Sequence, residues 1–324
     1  MNPKLSFIVF LLLGSLYTTG QQNSPFSRYG LGESLPGQNI VTRGMGGIGS
    51  TYGNSQSVNF TNPASYSELK IVTYDIGITL DSRTLKSTNP VLKYNSVNLE
   101  PAYVALGMPI SKKHNLGFAF GLKPVTRIGY SIEESKRTAS QGKDSLMYLY
   151  QGDGGLYQAF VGLGKRWGGL RIGINTGYMF GNKNNNTRAI PIDSVNTYKT
   201  ISATNTNYGS AFLNGGIQYD IDLNKATTLR LGLAGNLKQK LSAKQTISRE
   251  TFTYGTNGTT IPIDTVYMSP DISGTIQLPA SYSAGISLNT SIVDRVGNKI
   301  DKSLIALEYE STQWSNYRFY DQPD

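Results

Sequence analysis

Few side chains in this 324-residue chain have the types and spacing that covalent chemistry requires. The single histidine, His114, sits in the run Ser111-Lys112-Lys113-His114-Asn115. A general base needs a partner within hydrogen-bond reach and a pocket for the reacting group. A lone imidazole in a lysine-flanked turn reads as a solvated turn residue instead. Cysteine is absent, which removes disulfides, thiolate metal sites and a lipid anchor on cysteine. Gly44, Gly46 and Gly49 match the dinucleotide-binding spacing, but that fingerprint needs a hydrophobic strand before it and a helix after it. The chain continues from Gly49 as Ser50-Thr51-Tyr52-Gly53-Asn54-Ser55, a turn-like stretch, so these glycines read as sites of tight packing and positive φ. Asp193 and Asp264 fall in polar stretches where calcium could bind, yet their spacing matches no calcium loop. The expectation is a non-enzyme with no catalytic residues, no cofactor and no metal.

The remaining charges of interest recur at alternate positions. Asp75, Asp81, Asp220, Glu308, Glu310, Arg171, Arg230 and Lys238 all fall on the polar face of segments whose other face is apolar. Val72, Tyr74, Ile76, Ile78 and Leu80 alternate with Thr73, Asp75, Gly77, Thr79 and Asp81. Leu170, Ile172, Ile174, Thr176, Tyr178 and Phe180 alternate with Arg171, Gly173, Asn175, Gly177 and Met179. The segments at 116–123, 229–238 and 282–289 repeat the pattern. Period two means strands with two unlike faces. The charges either build a selectivity or binding site or pair with one another along a polar wall; the second reading is the preferred one.

Nine strands are predicted, at 70–81, 99–110, 116–130, 156–165, 170–181, 208–221, 227–249, 280–290 and 302–318. Long connections (82–98, 131–155, 182–207, 250–279) alternate with short ones (111–115, 166–169, 222–226, 291–301). Short turns at one end and long loops at the other are the habit of outer-membrane barrels. The fold class expected is all-β, a transmembrane antiparallel β-barrel with an N-terminal plug. Tyr157, Tyr178, Phe180 and Tyr208 are placed at one rim as an aromatic girdle. A secreted soluble β-protein also fits the alternation taken alone.

Composition agrees with a barrel. Charged residues make up 16%, glycine contributes 36 residues and tyrosine 21. The net charge of +9 comes from scattered Lys and Arg without a dense run, which argues for a membrane surface over nucleic acid. Lys4, the apolar stretch Leu5–Leu13 broken at Ser6, and small residues up to Gly20 read as a signal peptide over 1–20, cut ahead of Gln21. No later apolar run is long enough for a transmembrane helix. Residues 21–66 carry Gly, Ser, Asn and Pro without a period; residues 67–324 carry the alternation.

Three stretches resemble a known family: Ser24-Pro25-Phe26-Ser27-Arg28-Tyr29-Gly30-Leu31-Gly32; Arg43-Gly44-Met45-Gly46-Gly47-Ile48-Gly49 with Asn59-Phe60-Thr61-Asn62-Pro63-Ala64-Ser65; and Gly152-Asp153-Gly154-Gly155-Leu156. They are similar to outer-membrane barrels of the FadL type, long-chain fatty-acid transporters, in a branch common in Bacteroidota. The resemblance implies fourteen strands, so that C-terminal strands would be missing here and the reading frame would continue past Asp324. It implies that 21–66 is a hatch inside the lumen, with Asn62 an N-cap and Pro63 the first helical residue. Arg43, Gly44, Gly46, Gly47, Phe60, Asn62 and Pro63 are then the candidate hatch and ligand region. The function implied is passive transport of hydrophobic small molecules across the cell outer membrane. The alternative is a non-transporting barrel that serves as partner or scaffold in secretion or outer-membrane assembly, as relatives of the PorV type do. Partners expected are outer-membrane lipid and lipopolysaccharide, a hydrophobic ligand, and secretion or assembly proteins, with no nucleic acid.

Overall fold

The computed structural model describes residues 24–88, 91–137, 145–192, 197–255, 257–293 and 299–322. The export signal expected over 1–20, and Asp193, lie outside them. The alternating segments form strands. β1 is Glu33–Ser34, β2 Thr73–Thr88, β3 Val91–Ser111, β4 Leu116–Arg137, β5 Ser145–Trp167, β6 Leu170–Pro191 and β7 Lys199–Asp222. β8 is Thr227–Asn236, β9 Gln239–Tyr254, β10 Thr260–Leu278, β11 Ser281–Val293, β12 Lys299–Thr312 and β13 Arg318–Phe319. The one α-helix among the described residues, α1, is Ile40–Gly44. No helix there is long and apolar enough to cross a membrane.

One antiparallel sheet results, ordered β12-β11-β8-β7-β6-β5-β4-β3-β2 along its main path. β9 pairs with the far half of β7, β10 with β9, and β13 with β10. The sheet is curled, half of a barrel. Among the described residues β2 pairs only with β3, and β12 only with β11, so what is seen is an open curled wall.

The two faces differ as the alternation requires. Tyr74, Ile76, Ile78, Ile172, Ile174, Tyr178, Phe180, Leu231, Leu233, Ile305 and Leu307 are all exposed on the outer face. The inner face carries Asp75, Arg171, Asn175, Met179, Gln218 and Arg230, and residues 24–69 pack onto it. The hydrophobic core lies between that segment and the sheet: Val58, Phe60, Tyr66 and Leu69 meet Tyr103, Ala105, Ala119, Leu156 and Phe160.

Four sequence expectations need correction. The stretches taken as long loops are mostly strand: β5 runs 23 residues and β7 runs 24, well beyond the ~9–11 that cross a bilayer. The extension that β6 and β7 share is polar on both faces, as where Asn184, Asn185 and Asn186 oppose Asn205, Thr204 and Ala203. The ladder satisfies their backbones, so strand persists where hydrophobic alternation stops. The strand expected over 227–249 is broken at Leu237 and Lys238. There β7 changes partner, pairing β8 from Asn214 onward and β9 up to Gly209. Lys238 therefore sits exposed in the break and not on the inner wall. Tyr208 does not face outward as Tyr157, Tyr178 and Phe180 do; it is buried on the inner face, where its hydroxyl donates to the carbonyls of Gly155 and Asn182, each at 3.0 Å.

Candidate functional site: the segment seated on the inner wall

The short turn helix Pro63–Glu68 is the anchor of the segment. Asn62 caps it, with Oδ1 accepting the Ala64 N–H at 3.1 Å, and Pro63 takes the first position, where a missing N–H costs nothing. The Asn62 amide nitrogen donates to three carbonyls: Ser50 at 2.6 Å, Leu233 at 3.2 Å and Ile217 at 3.3 Å. Asn59 ties the preceding loop in the same way, donating to Gly49 at 2.6 Å and Tyr52 at 2.8 Å. Gln218 reaches from β7 to the Ser50 carbonyl at 3.0 Å. Buried amides thus satisfy the Gly49, Ser50 and Tyr52 carbonyls, which lie outside regular structure, and Asn62 ties that loop to β7 and β8.

The wall makes room for this helix by omitting side chains. Gly117 of β4 opposes Gly164 of β5, Gly164 opposes Gly173 of β6, Gly173 opposes Gly216 of β7, and Gly216 opposes Ala234 of β8. The row crosses the strands at right angles. A Cβ on Gly117 would strike the Tyr66 carbonyl; on Gly173, the Pro63 carbonyl carbon and Ala64 nitrogen; on Gly216, the Asn62 side chain. Tyr66, fully buried in this trough, has its phenol pushed above the usual range by desolvation.

A buried ionic cluster locks the end of the same helix. Arg171 of β6 is 1% exposed and binds Asp220 of β7 through both terminal nitrogens and Glu68 at 2.6 Å. Arg230 of β8 binds Glu68 at 2.6 Å and Asp220 at 2.7 Å, and donates to the Thr51 carbonyl at 3.1 Å. Two carboxylates and two guanidiniums so close are mutually compensating, and each would be costly alone. The segment is also held at the two outermost strands. Asp75 of β2 accepts the Val58 N–H at 2.9 Å; Glu308 of β12 accepts the N–H groups of Gly49 and Ser50 at 2.8 and 2.9 Å.

Nearer the N-terminus, β1 pairs with β4 at Arg127 and Thr126. Glu33 receives Arg83 at 2.6 Å, and that contact holds its carboxyl below the ordinary value. Asn39 caps α1, and Arg43 on it donates to Thr79 at 3.1 Å. Gly44 closes α1, and Gly46 and Gly47 after it adopt φ of 80° and 87°. The segment that precedes the glycines is a short helix and not a strand, the reverse of the nucleotide-binding arrangement. Phe60 is buried between Tyr103 and Phe160, with ring centroids 5.1 and 5.8 Å away, and the Lys123 ammonium lies 4.7 Å from its ring centre.

The sequence-based inner-face charges therefore separate. Asp75, Arg171, Arg230 and Glu308 bond to the segment directly, and Asp220 bonds to the two arginines that do so. Asp81 pairs with Arg83. Glu310 is exposed beside an apolar cavity of about 650 Å³ that Leu31, Leu156, Met179, Leu278 and Trp314 help to line. His114 is exposed in the turn between β3 and β4, its own N–H donating to the Ser111 hydroxyl at 3.3 Å. Asp264 is an ordinary member of β10, opposite Thr251. No group of three or more metal-ligating side chains occurs among the described residues. Glu68 and Gln218 were not singled out by the sequence: neither belongs to a motif, and their roles appear only when strand register brings them together; Asn59 was read only as part of the Asn59–Ser65 stretch, and its bonds to Gly49 and Tyr52 show only in the fold.

Comparison with known proteins bears on this arrangement. A family model named BamG matches residues 1–322. No curated protein and no solved structure matches the chain. The match corrects the sequence resemblance: BamG is a different family from the FadL-type transporters, and the fourteen-strand transport barrel that the resemblance implied loses its basis. The shared glycine- and asparagine-rich stretches are explained here by the packing of a segment against a curled wall, which does not require transport.

Proposed function

The chain belongs to the BamG family, and we propose from that premise that it is an outer-membrane β-barrel protein working with the machinery that assembles that membrane's proteins. The observation that carries the reading is the family match, which spans nearly the whole chain and fits an assembly role. The outer wall supports the location: a continuous band of exposed Ile, Leu, Val and Tyr suits hydrocarbon, and in water it would be an aggregation hazard. The export signal read at the N-terminus fits the same destination. In this reading the chain has no catalytic step and no cofactor, its outer face meets lipid, and its partners are assembly proteins. Residues 24–69 act as a fixed interior brace, a plug in the mechanical sense, with Arg43, Phe60, Asn62 and Pro63 among its attachment points.

Depletion of the protein in its native cell tests the role. Folded outer-membrane barrels, measured by their heat-dependent gel mobility and by mass spectrometry of outer-membrane fractions, should fall. Unchanged amounts and unchanged folding of those barrels would overturn it. Fatty-acid uptake, measured in the same cells, separates this role from transport.

A further inference from the structure

We propose that the short-turn end of the sheet, with the polar cavity at its mouth, is a docking surface for an acidic stretch of polypeptide; the proposal rests on the assembly role above and names the surface that role would use. The cavity holds about 630 Å³. Its floor is the Glu68–Arg171–Asp220–Arg230 cluster, whose charges compensate one another. Its rim carries an excess of positive charge. Lys70, Arg166 and Lys302 line it; Arg166 pairs with Asp220 of the floor at 3.7 Å, and the one rim carboxylate among the lining residues, Asp222, accepts the Thr228 hydroxyl at 2.7 Å. Lys70 and Lys302 are exposed and make no ion pair among the described residues. The neighbouring turns add Lys112, Lys113 and Lys225, all exposed. An incoming carboxylate-rich segment would meet a ring of cations on flexible stems around a polar bowl, which favours capture of acidic chains of varied sequence.

Lipid headgroups are the rival anion, and the geometry separates the two. The outer wall has its own headgroup-level pair at this end: the Lys165 ammonium lies 4.6 Å from the Trp167 ring centre, beside exposed Leu163. The rim cations stand on the other side of the wall, around Tyr52, Asn54 and Ser55, where acyl chains have no apolar surface to follow.

The test uses the full chain in neutral phosphatidylcholine nanodiscs. The probe is fluorescein-labelled deca-glutamate, with deca-glutamine as control, read by anisotropy at low and high salt. Wild type should bind deca-glutamate in a salt-sensitive way and ignore deca-glutamine. Lys70→Glu with Lys302→Glu should weaken binding about tenfold or more. Both positions are exposed, and Lys70→Gln with Lys302→Gln gives the same sign of change should the reversal disturb folding. Equal deca-glutamate binding by wild type and both variants would overturn the proposal. So would equal affinity for deca-glutamine, or a loss seen only with phosphatidylglycerol nanodiscs. Failure of the peptide test alongside a fall of barrels on depletion refutes the surface and leaves the role. Peptide binding alongside unchanged barrels refutes the role and leaves the surface.

Discussion

Replacing Gly173 by alanine should unseat the N-terminal segment. The added methyl would land on the Pro63 carbonyl carbon and the Ala64 nitrogen, both backbone atoms. Gly173 cannot retreat, because it is laddered to Gly164 on one side and Gly216 on the other. The helix Pro63–Glu68 must lift, and the three bonds from the Asn62 amide to Ser50, Leu233 and Ile217 are the first to go. Overpacking of this kind costs about 1–3 kcal/mol, and each lost bond about 0.5–1.5 kcal/mol; partial relaxation leaves an expected loss of about 2–4 kcal/mol. Gly215→Ala is the control. It lies next to Gly216 but its Cβ would point outward, with the nearest heavy atom 3.8 Å away. Its effect should stay within about 0.5 kcal/mol. Urea unfolding in detergent micelles, followed through the two tryptophans, measures both. Limited proteolysis should open residues 49–69 only in the Gly173 variant. Equal midpoints and equal cleavage in the two variants would refute the seating of the helix in the glycine trough.

Other perturbations test separate parts of the arrangement. Asp220→Ala leaves Arg171 and Arg230 with a single carboxylate between them and should cost about 3–5 kcal/mol in the same unfolding assay. Leu233→Arg, on the exposed outer face, should cost about 2–4 kcal/mol in bilayers when that face meets hydrocarbon, and should be nearly neutral for a wall facing water. The Glu33–Arg83 contact gives a pH dependence. The Glu33 carboxyl titrates lower in the folded protein than when unfolded, so its contribution is complete above the ordinary carboxylate value of 4.5 and fades as pH falls through the lower folded value. Proteolysis of residues 24–36 should rise in acid, and Arg83→Ala should remove that dependence.

The sequence disclosed the wall better than what the wall holds. Alternation in 72–81 and 170–180 assigned every side chain there to the face it occupies, because one face is apolar and the other is not. It failed where both faces are polar: Asn182, Asn184, Asn185 and Asn186 read as loop although they lie in β6. It failed at Tyr208 because an aromatic ring suits either side of a strand, and the inner position is decided by the Gly155 and Asn182 carbonyls it reaches. Arg171, Asp220 and Arg230 were legible as inward charges. Their partner Glu68 was not, since it comes from an aperiodic stretch. The glycine row is invisible along the chain, where Gly117, Gly164, Gly173 and Gly216 are unrelated, and it exists only in the cross-strand direction.

The bonds from Gly49 and Ser50 to Glu308 join residues 259 and 258 positions apart. Such closure has a large entropic cost that nothing local can offset in advance. The portion of the polypeptide synthesised early can reach its final place only after a strand made far later has arrived, so full docking of the brace belongs among the last events of maturation. A half-formed wall would carry this stretch loose, open to proteases and to chaperones, and its protection would report that the far strand has come home.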